Sequence, residues 1–230
     1  MKKYLIIGLT LIFVCCIGIS RVSAVMIDLF DWAFYVDGTT YEYFAGDTMP
    51  TTGTLIDGLG TLTWSTSTAG SHNFIAFFDH EIDEPINTFF NEFGMESGAA
   101  APGQSWEIDE PGYAFGDIYY NVLAGALDNS NGVPPGWEDD VSMALGWYFS
   151  LNSGETGTIT LELSDVVPSG SSYLYLSHTD PDSGNYTIYY SSTLTIKGGP
   201  VSVPEPGTMI LFGSLILGIL GIAKKKNINI

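Results

Sequence analysis

The chain has 230 residues, with seven Lys or Arg against 26 Asp or Glu and a formal net charge of −19. Residues 25–199 hold 25 of those acids and a single basic residue, Lys197, so this stretch alone carries a net charge of about −24. Nucleic acid is excluded as a partner because its binding runs through basic contacts to phosphate, and anionic lipid surfaces are excluded on the same ground.

At the N-terminus, Lys2 and Lys3 precede an apolar run over residues 4–19, and the "VSA" of residues 22–24 supplies what signal peptidase requires. Residues 1–24 are therefore expected to be an export signal cleaved after Ala24. Cys15 and Cys16 lie inside the apolar run, with Val14 where a lipoprotein signal wants a small residue, so they leave with the signal. The mature chain then has no cysteine, which excludes a disulfide framework and thiolate metal sites.

Residues 25–199 are long enough for one domain with a full core, and no repeat at a fixed period interrupts them. The first strands are expected at 27–36, 41–45 and 61–68, the last reading "TLTWSTST" with polar and apolar residues alternating at its start. Further strands are expected at 73–79, 87–93, 116–122 and 143–152. The segment "TITLELS" at 158–164 puts Ile159, Leu161 and Leu163 on one face. "SYLYLSH" at 172–178 and "YTIYYSSTLTI" at 186–196 are aromatic and β-branched, and the turn formers "TDPDSGN" between them predict a hairpin. "WYFSLNSGETGTITLELSD" at 147–165 is read as a second hairpin, with Asn152, Ser153 and Gly154 in its turn. No amphipathic helix of convincing length appears. Many short strands broken by Gly and Pro predict an all-β fold, an antiparallel β-sandwich of jelly-roll-like form.

Several clusters invite a chemical reading. "FFDHEIDEP" at 77–85 gathers Asp79, His80, Glu81, Asp83 and Glu84, but in a strand Asp79, Glu81 and Asp83 share one face while His80 points to the other, so a solvated strand end is expected. His72 and His178 have no ligand spacing and read as surface residues. A glycosidase needs two carboxylates across a cleft, yet nothing marks Glu107, Glu110 or Glu138 above the other acids. No nucleophile elbow or phosphate loop occurs. No catalytic residue, cofactor or metal ligand is therefore assigned. Structural calcium is an alternative at the oxygen-rich loops "DNSNG" (128–132), "WEDD" (137–140) and "DPDSGN" (180–185), with Asp180 and Asp182 as candidate ligands, although ordinary turns use the same residues. Among the tryptophans, Trp32, Trp64 and Trp147 lie on expected strands. Trp106 and Trp137, in expected loops, are the better platforms for stacking a sugar.

The chain closes with "VPEPGTMILFGSLILGILGIAKKK" at 203–226. Residues 207–223 are uncharged and, as a helix rising ~1.5 Å per residue, reach about 25 Å, which barely spans a bilayer core; they are expected to be a membrane helix. Lys224, Lys225 and Lys226 then form a basic stop that the positive-inside rule holds in the cytoplasm, with residues 224–230 as a cytoplasmic tail and 200–206 as a linker. Pro204, Glu205 and Pro206 before one apolar span and a basic cluster resemble the PEP-CTERM sorting signal, although the family more often shows arginine in the cluster. The 147–165 segment is similar to a stretch near the end of many domains so sorted. The resemblance implies a Gram-negative host, processing by an exosortase, inner-membrane anchoring and then release to the outer surface or matrix. The expected function is a structural or adhesive one, without enzymatic activity, in an exopolysaccharide or biofilm layer. A carbohydrate-binding module is the alternative, and a secreted hydrolase comes third.

Overall fold

The computed structural model describes residues 25–112, 115–169 and 174–199. The expected signal (1–24), linker (200–206), span (207–223) and tail (224–230) lie outside them, and no described helix is long and apolar enough to cross a membrane. In chain order the strands are β1 (Ile27–Val36), β2 (Thr39–Glu42), β3 (Thr52–Ile56), β4 (Leu59–Thr66), β5 (Gly70–Ile82), β6 (Phe93–Ser97), β7 (Gln104–Asp109), β8 (Ser142–Leu151), β9 (Thr156–Ser164), β10 (Tyr175–Asp180) and β11 (Tyr186–Lys197). One short helix, α1 (Ile118–Ala124), lies between β7 and β8. The strands form a five-stranded sheet ordered β2-β1-β5-β8-β7 and a six-stranded sheet ordered β3-β4-β9-β11-β10-β6, antiparallel throughout.

Local chemistry sets the tight turns. Asp37-Gly38 joins β1 to β2 and Asp57-Gly58 joins β3 to β4, each with positive φ at both residues, as a two-residue hairpin turn requires. Alternation then sorts the side chains. Phe34, Phe74, Phe78, Met143, Leu145 and Trp147 face inward from the five-stranded sheet, and Leu62, Ile159, Leu161, Leu163, Leu176 and Ile188 meet them from the other. Each such fully buried side chain contributes about 1.5–3 kcal/mol relative to exposure. Polar bridges cross the core, among them the Gln104 amide donating to the Ser192 hydroxyl at 3.2 Å. Trp147 Nε1 donates to Ser192 Oγ at 2.9 Å, and Tyr190 pairs with His80 Nδ1 at 2.9 Å. His80 Nε2 lies 3.0 Å from the Gly58 carbonyl, which can only accept, so Nε2 carries the proton and the Tyr190 hydroxyl donates to Nδ1. Burial pushes the His80 pKa down to about 3, consistent with this neutral ring.

Three expectations are corrected. The 147–165 segment contains both expected strands but no hairpin: β8 pairs with β5 and β7, whereas β9 pairs with β4 and β11 in the opposite sheet. Residues 152–155 instead carry the chain across the sandwich, beside the 67–69 crossing that joins β4 to β5. The two strands then face one core from opposite sheets, Leu145, Trp147 and Phe149 from β8 and Ile159, Leu161 and Leu163 from β9. A jelly roll has eight strands; here eleven are described, and this rolled β4–β5/β8–β9 ribbon is the part that such a fold shares. Residues 116–122 are not a strand, because Ile118 and Val122, four apart, are both buried on one face of α1, and Gly125 ends the helix in the left-handed conformation with its N–H on the Asn121 and Val122 carbonyls. Residues 87–93 are not one strand: they hold a 3-10 turn, Phe89–Asn91, whose Phe90 N–H is capped by the Thr88 hydroxyl at 3.3 Å, and only Phe93 begins β6.

The crossing explains Gly157. A Cβ there would stand 2.6 Å from Phe149 Cε2, on a ring that is itself buried. Gly157→Val should therefore lower stability by about 1–3 kcal/mol in urea unfolding. Gly198→Ala, where nothing lies within 4 Å of the added methyl, should change it by less than about 0.5 kcal/mol. Equal effects at the two positions would contradict the crowded corner.

Candidate functional site

The outer face of the five-stranded sheet has two halves. Toward one side Ala33, Ile75, Phe77 and Ala144 pack beneath Ile118 and Val122 of α1. Further along the same face the apolar residues give way to acids. Asp79 on β5 stands opposite Asp31 on β1 and Ser142 on β8, and the Ser142 hydroxyl donates to Asp79 Oδ1 at 3.0 Å. Glu81 follows two residues on, on the same face. Asp140 arrives from the loop before β8, where reciprocal backbone bonds between Glu92 and Asp139 fix its neighbour.

One carboxylate oxygen from each of Asp79, Glu81 and Asp140 lies within 4.8 Å of the other two. They floor a cleft of about 360 Å³, with Glu84 and Glu110 adding acids and Phe30, Phe89, Phe90 and Phe115 forming apolar walls. Burial, then the charges of Asp140 and Glu92, pushes Glu81 up to about 8. Burial and then Glu92 push Asp140 up to about 7, and burial followed by Asp140 holds Asp79 well above the usual carboxylate range. Glu81 is 8% exposed, and its Oε2 has no hydrogen-bond partner.

Behind this cleft, Glu92 and His178 are wholly buried, with His178 Nε2 2.5 Å from Glu92 Oε2. Burial pushes Glu92 up to about 9, helped by Asp180, and pulls His178 down to about 4. The pair is therefore neutral, with the Glu92 carboxyl donating its proton to the imidazole. His72 differs. Its Nε2 faces the Thr68 carbonyl and its Nδ1 the Asp37 carboxylate, each at 2.7 Å. Burial disfavours its charged form, yet the bonds to Asp37 and Thr68 outweigh that and raise its pKa. All three histidines are thus buried rather than on the surface, because each has the inward parity of its strand.

The "FFDHEIDEP" cluster is likewise not a solvated strand end. Asp79 and Glu81 are buried, while Asp83 leaves the strand and accepts from the Met26 N–H at 2.6 Å. The "WEDD" loop supplies the third acid, Asp140. Asp128, from "DNSNG", joins Glu107 and Asp117 in a second group with oxygens within 4.8 Å. There Glu107 Oε1 accepts from Asn121 at 2.8 Å and Oε2 from the Asp128 N–H at 3.1 Å. Asp180 is buried beneath two asparagine amides, Asn87 at 2.6 Å and Asn91 at 3.1 Å, and the Asp182 and Ser183 N–H groups, so its oxygens already serve as a structural hub. Glu110 lines the cleft. Trp106 sits on β7 and packs against the core instead of in a loop, whereas Trp137 is 77% exposed.

The raised acids make a signed prediction. Glu107, ordinarily near 4.5, is pushed up to about 7 by burial. The folded chain then holds a proton that the unfolded chain releases, so this stability is present below about 4.5 and lost as pH rises through about 7, with Glu92 extending the loss toward 9. In EDTA the melting temperature should be higher at about pH 5 than at about pH 8.5, and the drop should be smaller for Glu107→Gln. The lowered pKa values of His80 and His178 act in the opposite sense between about 5 and 6.5, so the contrast with the variant carries the test: an equal change for parent and Glu107→Gln would contradict a buried, protonated Glu107.

Residues 202–226 match the PEP-CTERM protein-sorting motif, which includes Pro204, Glu205, Pro206 and the Lys224–Lys226 cluster. No curated protein and no solved structure matches the chain. The chain therefore carries the PEP-CTERM sorting signal, the mark of an exported protein that is held at the membrane by its C-terminus before an exosortase processes it.

Proposed function

We propose that the β-sandwich is a structural or adhesive element of an exopolysaccharide layer at the outer surface of a Gram-negative cell, without enzymatic activity of its own. The observation that carries this reading is the sorting motif at 202–226, which begins a few residues after β11 ends at Lys197. In this reading residues 1–24 are the export signal cleaved after Ala24, 207–223 span the inner membrane, and Lys224, Lys225 and Lys226 stop transfer on the cytoplasmic side. The exosortase then cuts near Pro204, Glu205 and Pro206, freeing the domain. The strongly acidic domain suits a hydrated, cation-rich matrix, since such a charge keeps it soluble and draws counter-ions.

A second reading, carbohydrate binding, is favoured by Trp137, whose indole is open to solvent in the loop between α1 and β8. Its flat apolar ring is the kind of surface on which a sugar face stacks, and Glu138 and Asp139 beside it offer acceptors for hydroxyls. Hydrolysis has less support. Asp79, Glu81 and Asp140 converge on one spot within 4.8 Å, rather than facing each other over the roughly 5–10 Å that straddles a scissile glycosidic bond.

Replacing Pro204, Glu205 and Pro206 with alanine should leave export intact but keep the protein uncleaved in the inner membrane, as read by intact mass and cell fractionation. Unchanged release would contradict exosortase sorting. Binding of the chain to the host's own polysaccharide, with quenching of tryptophan fluorescence that Trp137→Ala removes, would select the second reading over the first.

A further inference from the structure

We propose that the carboxylates of Asp79, Glu81 and Asp140 form a calcium site on the floor of the acidic cleft. It stands apart from the sorting reading and rests on the cleft alone.

The first support is the contrast between buried acids. Asp180 has two side-chain amides and two backbone N–H groups on its oxygens, and Glu107 has one donor for each oxygen. Glu81, more than nine-tenths buried, has Oε2 without any donor, and Glu81 lines the cleft with Asp79 and Asp140. The other unpartnered buried carboxyl oxygen, Glu92 Oε1, belongs to the neutral pair with His178 between the sheets. An unpaired buried acceptor costs about 1–3 kcal/mol, more if charged, so a group left this way beside two further carboxylates calls for a positive partner.

No side chain of the domain supplies one. Lys197, the single basic residue of 25–199, pairs with Thr156 at the crossing end of the sandwich, where β5 begins at Gly70. Asp79 lies nine residues further along β5, about 30 Å away at ~3.3 Å per residue. The positive partner must come from solution.

Geometry and chemistry select the ion. Hard carboxylate oxygens with no imidazole or thiolate among them suit calcium or magnesium rather than a transition metal. Calcium bonds of 2.3–2.6 Å place ligand oxygens as much as about 5 Å apart across the ion, which takes a set within 4.8 Å as it stands. Magnesium bonds of about 2.0–2.1 Å would draw opposed oxygens to about 4 Å in strict octahedral geometry. Three carboxylates give up to six oxygens, and Glu84 and Glu110 at the rim can hold waters that complete a sphere of six to eight.

The test is calorimetric titration of calcium chloride into the full chain, purified in detergent and stripped with EDTA, with magnesium chloride as the comparison. The expected result is one calcium bound at about 10⁻³ M or tighter, magnesium at least about tenfold weaker, and a melting temperature that rises with calcium. Glu81→Gln should weaken calcium at least about tenfold. Because it also removes one of several repelling charges, it should fold at least as well as the parent in EDTA, which melting verifies. Glu107→Gln, in the other acidic group, should keep calcium affinity within about twofold. No calcium binding by the parent chain, or binding that survives Glu81→Gln, would overturn the proposal.

Discussion

With a single lysine among 25 acids, this domain must bury carboxyl groups without ion pairs to lysine or arginine. Everything unusual in its interior follows from the substitutes. Imidazole is the partner of a carboxyl group twice, beside Asp37, where the bonds to Asp37 and Thr68 raise the His72 pKa, and against the buried Glu92. Amide groups cap Asp180 and Glu107, and backbone N–H groups serve Asp31, Asp83 and Asp109. Protons do the rest, retained on acids whose ionisation burial makes costly. Such devices are short in reach, so each ties two particular segments together: Asn87 and Asn91 to the β10–β11 turn, Asn121 of α1 to β7, and Asp37 to β5.

The two faces of the five-stranded sheet show how the same strands serve packing and chemistry. Inward residues of β5 alternate with outward ones, so Phe74, Phe78 and His80 fill the sandwich while Ile75, Phe77, Asp79 and Glu81 line the opposite side. Helix α1 covers only the part of that outer face where the side chains are apolar. The acids begin where the helix stops, and aromatic walls from the 3-10 turn and from Phe115 enclose them. A paired strand carries two of the three convergent acids, and the third directly follows Asp139, which a backbone bridge ties to Glu92, so hydrogen-bonded main chain positions the cleft.

Much of this architecture was legible in the residues. Alternation at Ile159, Leu161 and Leu163 identified β9, and the Asp-Pro-Asp-Ser-Gly-Asn turn located the β10–β11 hairpin. What period two cannot tell is which sheet receives the next strand, and the 147–165 segment was misread for that reason; Gly157, small where two strands converge on one ring, was the residue that carried the information. The seven residues of α1 are too few for a helical period to stand out, yet Ile118, Val122 and Gly125 held both the spacing and the stop. Asp37-Gly38 and Asp57-Gly58 were strong hairpin signals that went unused. His72 and His80 could have been placed inside by counting parity from Phe74 and Phe78, and His178 by counting from Leu176. The meeting of "FFDHEIDEP" with "WEDD" could not, since it depends on a contact between segments some sixty residues apart that only the fold creates. The sorting motif needed no fold at all, because its order along the chain is the signal.

The position of β11 has a consequence for how the protein is made. It lies between β9 and β10, so without it the six-stranded sheet is two fragments, β3-β4-β9 and β10-β6, that share no hydrogen bonds. It is also the last strand described, and the sorting motif starts at residue 202, just past its end at Lys197. A chain made from its N-terminus therefore cannot complete the six-stranded sheet until almost every residue before the sorting motif is present. The strand that joins the two halves of the six-stranded sheet and the sorting motif therefore lie within a few residues of each other along the chain.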